Sequence, residues 1–260
     1  MGSPRALLPS GIICLLALAA ACSTASAPSS ARSPAVSATH LAVAPTVAAS
    51  GHASVVYHGA TTRRAVALTF DIGADADAAG VAATLVTLRA EGVRATFAVS
   101  GLWVEEHRDI ALRIAADGHQ IINGGYHGAS FTGASTGGTP LGADERSLEL
   151  SRTETTVYHL TQRSTRPYFR PPFGDVDAGV LRDAGNAGFA TAVLSSVDCF
   201  GPPGASSGEI VASCIAAASP GAILELRADA GAYDPKALPR VIAALRAEGY
   251  TFETVDVILR

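Results

Sequence analysis

An α/β domain of parallel strands joined by helical crossovers, in an open sheet or a barrel, is the fold class the sequence predicts. Three observations lead there. Short apolar runs alternate with segments of helical spacing about seven times along the chain beyond residue 55. No hairpin signal separates consecutive apolar runs, so the connections are crossovers and the strands parallel. Asp71, Asn123, Arg170, Asp198 and Arg227 each fall within a few positions after an apolar run. In a parallel barrel those strand ends share one rim, where sites are built from strand-end loops, and this convergence favours the barrel.

The elements follow in order. The first strand is Ala-Val-Ala-Leu-Thr-Phe at 65–70. Over 77–91, Val81, Leu85 and Leu88 recur at helical spacing, and Gly92 supplies a C-terminal stop. A strand at 95–99 precedes one helix through Val104, Ile110, Leu112 and Ile114, ending at Gly118. A short strand at 120–122 leads into a long polar loop, 124–142, and a helix over 144–160. Further strands are expected at 167–169, 190–194, 222–226 and 250–254, with a helix over 238–248. Asp71-Ile72-Gly73-Ala74 lacks the glycine spacing of a phosphate loop or dinucleotide fingerprint.

The N-terminal region sets the compartment. Arg5 precedes an apolar run at 11–21 of about 11 residues, too short for the roughly 20 that span a bilayer, so 1–22 reads as a signal segment. Ala19, Ala20 and Ala21 supply the small residues that lipoprotein processing needs before a cysteine, making Cys22 the lipidation candidate. Ordinary cleavage after Ala21 or Ala27, giving a secreted protein, is the alternative. Residues 23–54, rich in Ala, Ser, Thr and Pro, form a disordered tether, because they bury too little apolar surface to offset their ordering entropy. Residues 55–260 are enough for one domain. The protein is therefore expected outside the cytoplasm, held to the outer face of the membrane through Cys22 or released.

A net charge of −4 with no basic run argues against nucleic acid as a partner. Of the 4 cysteines, Cys14 leaves with the signal, which leaves Cys199 and Cys214 in the domain. Two thiols in an oxidising compartment most often pair. Two separate buried cysteines are the other reading.

The strand ends also carry recognisable motifs. Leu68-Thr69-Phe70-Asp71-Ile72-Gly73 resembles the first motif of the polysaccharide deacetylases, the carbohydrate esterases of family four with a NodB-homology domain. Gly118-His119-Gln120-Ile121-Ile122-Asn123 is similar to the lead-in to their second, and Phe169-Arg170-Pro171-Pro172-Phe173-Gly174 to their third. Residues 193–198 sit where a fourth would be, 221–226 resemble the strand of the last, and 244–250 the closing helix. The resemblance implies a distorted (β/α) barrel of about seven parallel strands with its site on the rim. It also implies a chemistry in which zinc, held by one Asp and two His, activates water against an acetamide or acetyl ester. An Asp base, an orienting Arg and a His acid assist.

Carried over position by position, Asp71 matches the base, Arg170 its partner, and the Phe173 N–H the oxyanion donor. Ile72 stands at the metal-binding Asp position, and Gly124 and Gly128 at the two His positions. Arg227 stands where the acid His would be and holds its proton too tightly to donate it. No bound metal is expected. His127 lies one residue from a ligand position, and Asp75, Asp77, Asp198 and Asp229 are the remaining oxygen donors. Loss of the ion and of its Asp ligand, with Arg replacing a neutral His, leaves the summed charge unchanged. Asp71 is thus expected to stay ionised in a bidentate pair with Arg170, its pKa lowered. Tyr126, Phe173, Phe200 and Tyr233, with the loop at 130–139, are candidates for a sugar groove.

The expectation is a monomeric cell-envelope protein that binds glycan, peptidoglycan first, through an eroded, metal-free deacetylase site. An active carbohydrate N- or O-deacetylase and a purely structural envelope lipoprotein are the alternatives.

Overall fold

The computed structural model describes residues 51–199, 205–228 and 237–260. The signal segment, Cys22, residues 23–50, Phe200, Asp229 and Tyr233 lie outside the described residues. The first half of the domain comprises β1 (Ser54–Val56), β2 (Ala65–Ile72), α1 (Ala78–Ala90), β3 (Thr96–Val99), α2 (Gly101–Glu106), α3 (Arg108–Ala116) and β4 (Gln120–Asn123). After the long loop come α4 (Ala143–Thr161), β5 (Tyr168–Phe169), α5 (Ala178–Asn186), β6 (Thr191–Val193) and β7 (Val197–Asp198). The chain closes with α6 (Ser207–Ala217), β8 (Ile223–Arg227), α7 (Ala237–Ala247), β9 (Thr251–Phe252) and α8 (Val255–Ile258).

The strands form one curled sheet in the order β1-β6-β5-β4-β3-β2-β8-β7, with β9 added to the start of β2. Every strand pair is parallel. This is the distorted (β/α) barrel the sequence predicts, with two more strands than the seven expected. β1 and β7, of 3 and 2 residues, are too short to register as apolar runs. A second difference concerns the helix expected through Val104 and Ile114, which is two helices. His107 leaves helical geometry at φ −125° and ψ 49°, yet the apolar spacing continues because Val104, Ala111 and Ile114 enter the same core. The first strand pairs from Ser54, and Ala53 is already buried, so the ordered domain reaches into the last residues assigned to the tether.

Strand periodicity sorts each side chain to one of two layers. On β2, Val66, Leu68, Phe70 and Ile72 join the large cluster beneath the helices, with Phe97 and Val99 of β3 and Leu224 and Leu226 of β8. Ala65 and Ala67 point the other way, into the barrel, where they meet Ala98, Ile122, Val193 and Ile223, with Val255 and Ile258 from α8. Small residues on the inner face suit the tight interior. The same alternation carries inward to Thr69 and Asp71 on β2, and to Glu225 and Arg227 on β8. The inner face is therefore apolar at the N-terminal ends of the strands and polar at the C-terminal ends.

Candidate functional site

Asp71 lies at the polar end of β2, at the register position of Arg227 on β8, while Glu225 sits opposite Thr69. They face a cleft of about 510 Å³. Arg170, the first residue after β5, lies under its floor and is 4% exposed. Its Nη1 donates to Asp71 Oδ1 at 2.7 Å, its Nη2 to Thr69 Oγ1 at 2.8 Å, and its Nε to the Val193 carbonyl at 3.1 Å. Glu225 Oε2 stands 3.9 Å from the same Nη1.

This geometry corrects two expectations. The Asp71–Arg170 contact is made through one nitrogen and is not bidentate, because Nη2 and Nε are turned to Thr69 and Val193. The Asp71 pKa is raised, to about 6 from 3.8. Burial is the largest cause; Arg170 pulls the value back, and Glu225 pushes it up through charge and a shared hydrogen bond. The Asp71 side chain is still 39% exposed to the cleft, but the atoms packed around its carboxyl restrict its hydration. Glu225 is the functional residue that sequence reasoning missed. Its signal was available: an acidic residue inside an apolar strand, two residues from Arg227 and so on the same face.

The loop after β4 forms the opposite wall. Asn123 is buried and fixes the entry to this loop: its Nδ2 donates to the Leu150 carbonyl at 2.8 Å and its Oδ1 accepts from Gly125 N at 3.0 Å. Glu149 of α4, nearly buried, accepts from the backbone N–H groups of Tyr126 and His127, each at 2.8 Å. Its other oxygen meets His127 Nδ1 at 2.6 Å, which fixes the ring of a residue that lines the cleft. Tyr126 does not line the cleft. Its ring is 2% exposed, lies 3.6 Å from the Arg152 guanidinium, and donates its hydroxyl to Glu105 at 2.7 Å. Glu105 and burial together raise the Tyr126 pKa, burial contributing more.

Phe173 projects into the cleft, 63% exposed. It adopts the left-handed conformation, φ 62° and ψ 9°, in a short 3-10 turn following Pro171. Such a backbone is costly for a bulky residue and here presents the ring to solvent. Arg227 lines the cleft from β8. Asp198 ends β7, is exposed, and is not among the cleft-lining residues. Asp75 lines the cleft, whereas Asp77 caps α1, accepting from Gly80 N at 2.9 Å.

The positions that the resemblance assigns to a metal do not fit one. Ile72 is 1% exposed and packs with the helix-side core. A Cβ on Gly124 would lie 2.9 Å from the Val99 carbonyl oxygen and 3.0 Å from its carbon, so any side chain there forces β3 aside. Gly128 has φ +70°, where a side chain is strained. Among the described residues, no group of three or more His, Cys, Asp or Glu side chains is placed to hold a metal ion. Cys199 and Cys214 form a disulfide with a Cα–Cα distance of 5.1 Å, joining the end of β7 to α6.

A parallel barrel with an Asp–Arg pair at its rim, and an Arg-Pro-Pro-Phe-Gly turn beside it, defines the architecture of a carbohydrate esterase. The polysaccharide deacetylase family model matches residues 58–192, more than half of the chain, and the protein belongs to that family. It is 28% identical over 205 residues to the peptidoglycan-N-acetylmuramic acid deacetylase PdaA of Bacillus subtilis, covering 78% of this chain and 74% of PdaA. It is 27% identical over 202 residues to a peptidoglycan-N-acetylglucosamine deacetylase of Bacillus cereus, covering 76% and 70%. The solved structure of PdaA, a family 4 carbohydrate esterase, superposes with a TM-score of 0.67 at 28% identity, covering 79% of this chain and 84% of that one. BA3943 of Bacillus anthracis, a CE4 family pseudoenzyme, shares the fold with a TM-score of 0.69 at 23% identity, covering 80% and 69%.

Proposed function

We propose that this protein is a glycan-binding member of the deacetylase family, acting at the cell envelope on peptidoglycan without hydrolysing it. One observation carries the reading: Ile72, Gly124 and Gly128 each lack a donor atom, and the latter two are held in backbone settings that resist acquiring a side chain. What remains is a polar cleft with an exposed aromatic ring, the arrangement that holds a sugar by hydrogen bonds and stacking. The two named relatives act on peptidoglycan glycan strands, which favours the same polymer here. Export as a monomer, held to the membrane through Cys22 or released, completes the proposal.

The purified protein, supplied with zinc and dialysed, is expected to hold well under one equivalent of metal. It should release no acetate from acetylated chitin oligomers or peptidoglycan, yet be retained on peptidoglycan. Phe173→Ala should weaken that retention several-fold. Stoichiometric zinc, with acetate release abolished by a chelator, would overturn the reading. Absence of both acetate release and retention would favour a structural lipoprotein.

A second reading, metal-free hydrolysis, is favoured by Asp71, poised near 6 in the same cleft as His127, whose ring is oriented by Glu149. A base titrating near neutrality, sharing a cleft with an imidazole fixed by a carboxylate, is the combination that acid–base catalysis uses. Its signature is chelator-resistant acetate release that Asp71→Asn abolishes.

A further inference from the structure

The charges on the cleft floor do not balance, and the imbalance identifies the sugar. Asp71 and Glu225 both face Arg170, at 2.7 and 3.9 Å from the same guanidinium nitrogen. The Nη2 and Nε of Arg170 donate to Thr69 and to the Val193 carbonyl. One buried cation therefore serves two carboxyl groups. Asp75, also on the cleft wall, adds a further negative charge. Arg227 lines the same cleft at the register position of Asp71, so two cations meet three carboxyl groups and one carboxylate is left over. A neutral ligand would cover this floor while leaving its excess carboxylate without a counter-charge and short of water, which is unfavourable. A ligand that brings one cation would complete it.

Phe173 adds the second requirement. Its exposed ring, on a backbone fixed in the left-handed region, offers an apolar face beside the carboxyl pair, suited to the C–H face of a pyranose. An apolar ring face with a compact cation at its edge describes an amino sugar whose nitrogen is free. An N-acetylated sugar presents a neutral amide at that edge. On the glycan-binding reading above, we propose that the cleft selects de-N-acetylated hexosamine units, seating their ammonium group against the cleft-facing side of the Asp71–Glu225 carboxyl pair. The ligand is then the product of amide hydrolysis on the glycan, so an enzyme of that reaction class must act before this protein binds.

The test uses the full chain, with glucosamine oligomers and N-acetylglucosamine oligomers of equal length, titrated by calorimetry at neutral pH. The amino oligomer is expected to bind at least about tenfold tighter, the scale of one well-placed ion pair. Glu225→Gln, shown by its melting curve to be folded, should bring the ratio of the two affinities close to one. Asp75→Asn is the second variant, more peripheral and less exposed to folding defects, and should narrow the ratio. Equal or tighter binding of the acetylated oligomer would overturn this inference and leave the glycan-binding reading standing. A preference that survives both substitutions would also overturn it. If neither oligomer binds, both readings fall together.

Discussion

Asp71 and His119 show how two groups with restricted hydration set opposite pH dependences over one window. His119 is buried, with its Nδ1 accepting from Ala95 N at 3.1 Å, and burial depresses its pKa from 6.5 to about 4. A depressed histidine contributes stability above pH 6.5 that is lost as pH falls toward 4. Asp71 behaves in the reverse sense. Its pKa is raised from 3.8 to about 6, so the folded state holds the proton more tightly. Stability is fully present below 3.8 and declines as pH rises through 6. On acidification the gain at Asp71 offsets part of the loss at His119. Asp71→Asn removes the gain, and its denaturation midpoint should fall more steeply than the parent's between pH 7 and pH 4. A shallower acid limb in the variant would show that the Arg170 contact outweighs burial after all. Gly124 supplies the second test at this scale. Gly124→Ala should destabilise by about 1–3 kcal/mol, the usual cost of overpacking, because its Cβ meets the Val99 backbone. An unchanged urea midpoint would show that β3 yields freely and that a histidine there is tolerable.

Elements were legible where the chain runs long enough to show a period. β2 reads directly as six consecutive buried residues, and α4 and α1 begin and end within a residue or two of expectation. The break at His107 was hidden because the apolar period does not change across it, so only the local backbone reveals it. Asp71 and Arg170 could be placed from their motifs, since strand ends of parallel sheets converge. The environment of Asp71 could not, because its neighbour Glu225 comes from a strand more than 150 residues away, and register alone brings the two together. Tyr126 was misplaced for a related reason: an aromatic residue in a polar loop gives no hint that α2 and α4 close over it. The disulfide belongs to this scale too. It ties the first residue after β7 to the third turn of α6, closing a loop of separation 15. Cys199→Ser with Cys214→Ser should lower stability by about 3 kcal/mol on the chain-entropy scale. Thiol titration of the unfolded, unreduced protein should find neither Cys199 nor Cys214 free, and two reactive thiols there would contradict the bridge.

Across the whole molecule, the segment before β2 acts as a strap. Ser54 N donates to Ala190 O at 2.9 Å, and Leu194 N to Val56 O at 2.9 Å, holding β1 on β6. A few residues later the same segment reaches the other flank of the sheet. Gly59 N donates to Gly221 O at 2.7 Å before β8, and Ala60 N to Ile258 O at 2.8 Å on α8. Gly51 packs so tightly on α5 that a Cβ on Gly185 would lie 1.7 Å from its carbonyl oxygen, and Ala53 enters the cluster of Phe131, Phe169 and Phe189. The strap thus runs along the whole of β6 and then links it to the start of β8, across a stretch where the described sheet has no continuous pairing. Removing it would bare the β6 edge and loosen the interior under the Asp71–Arg170–Glu225 floor. A chain starting at Thr61 should therefore melt about 10 °C or more below one starting at Gly51, a loss of roughly 3–4 kcal/mol for a domain of this size. It should also lose glycan retention even where folded, because Arg170 draws one of its contacts from Val193 on β6. Equal melting temperatures and equal retention for the two chains would mean that β1 is an appendage, and that the barrel and its cleft are complete from β2 onward.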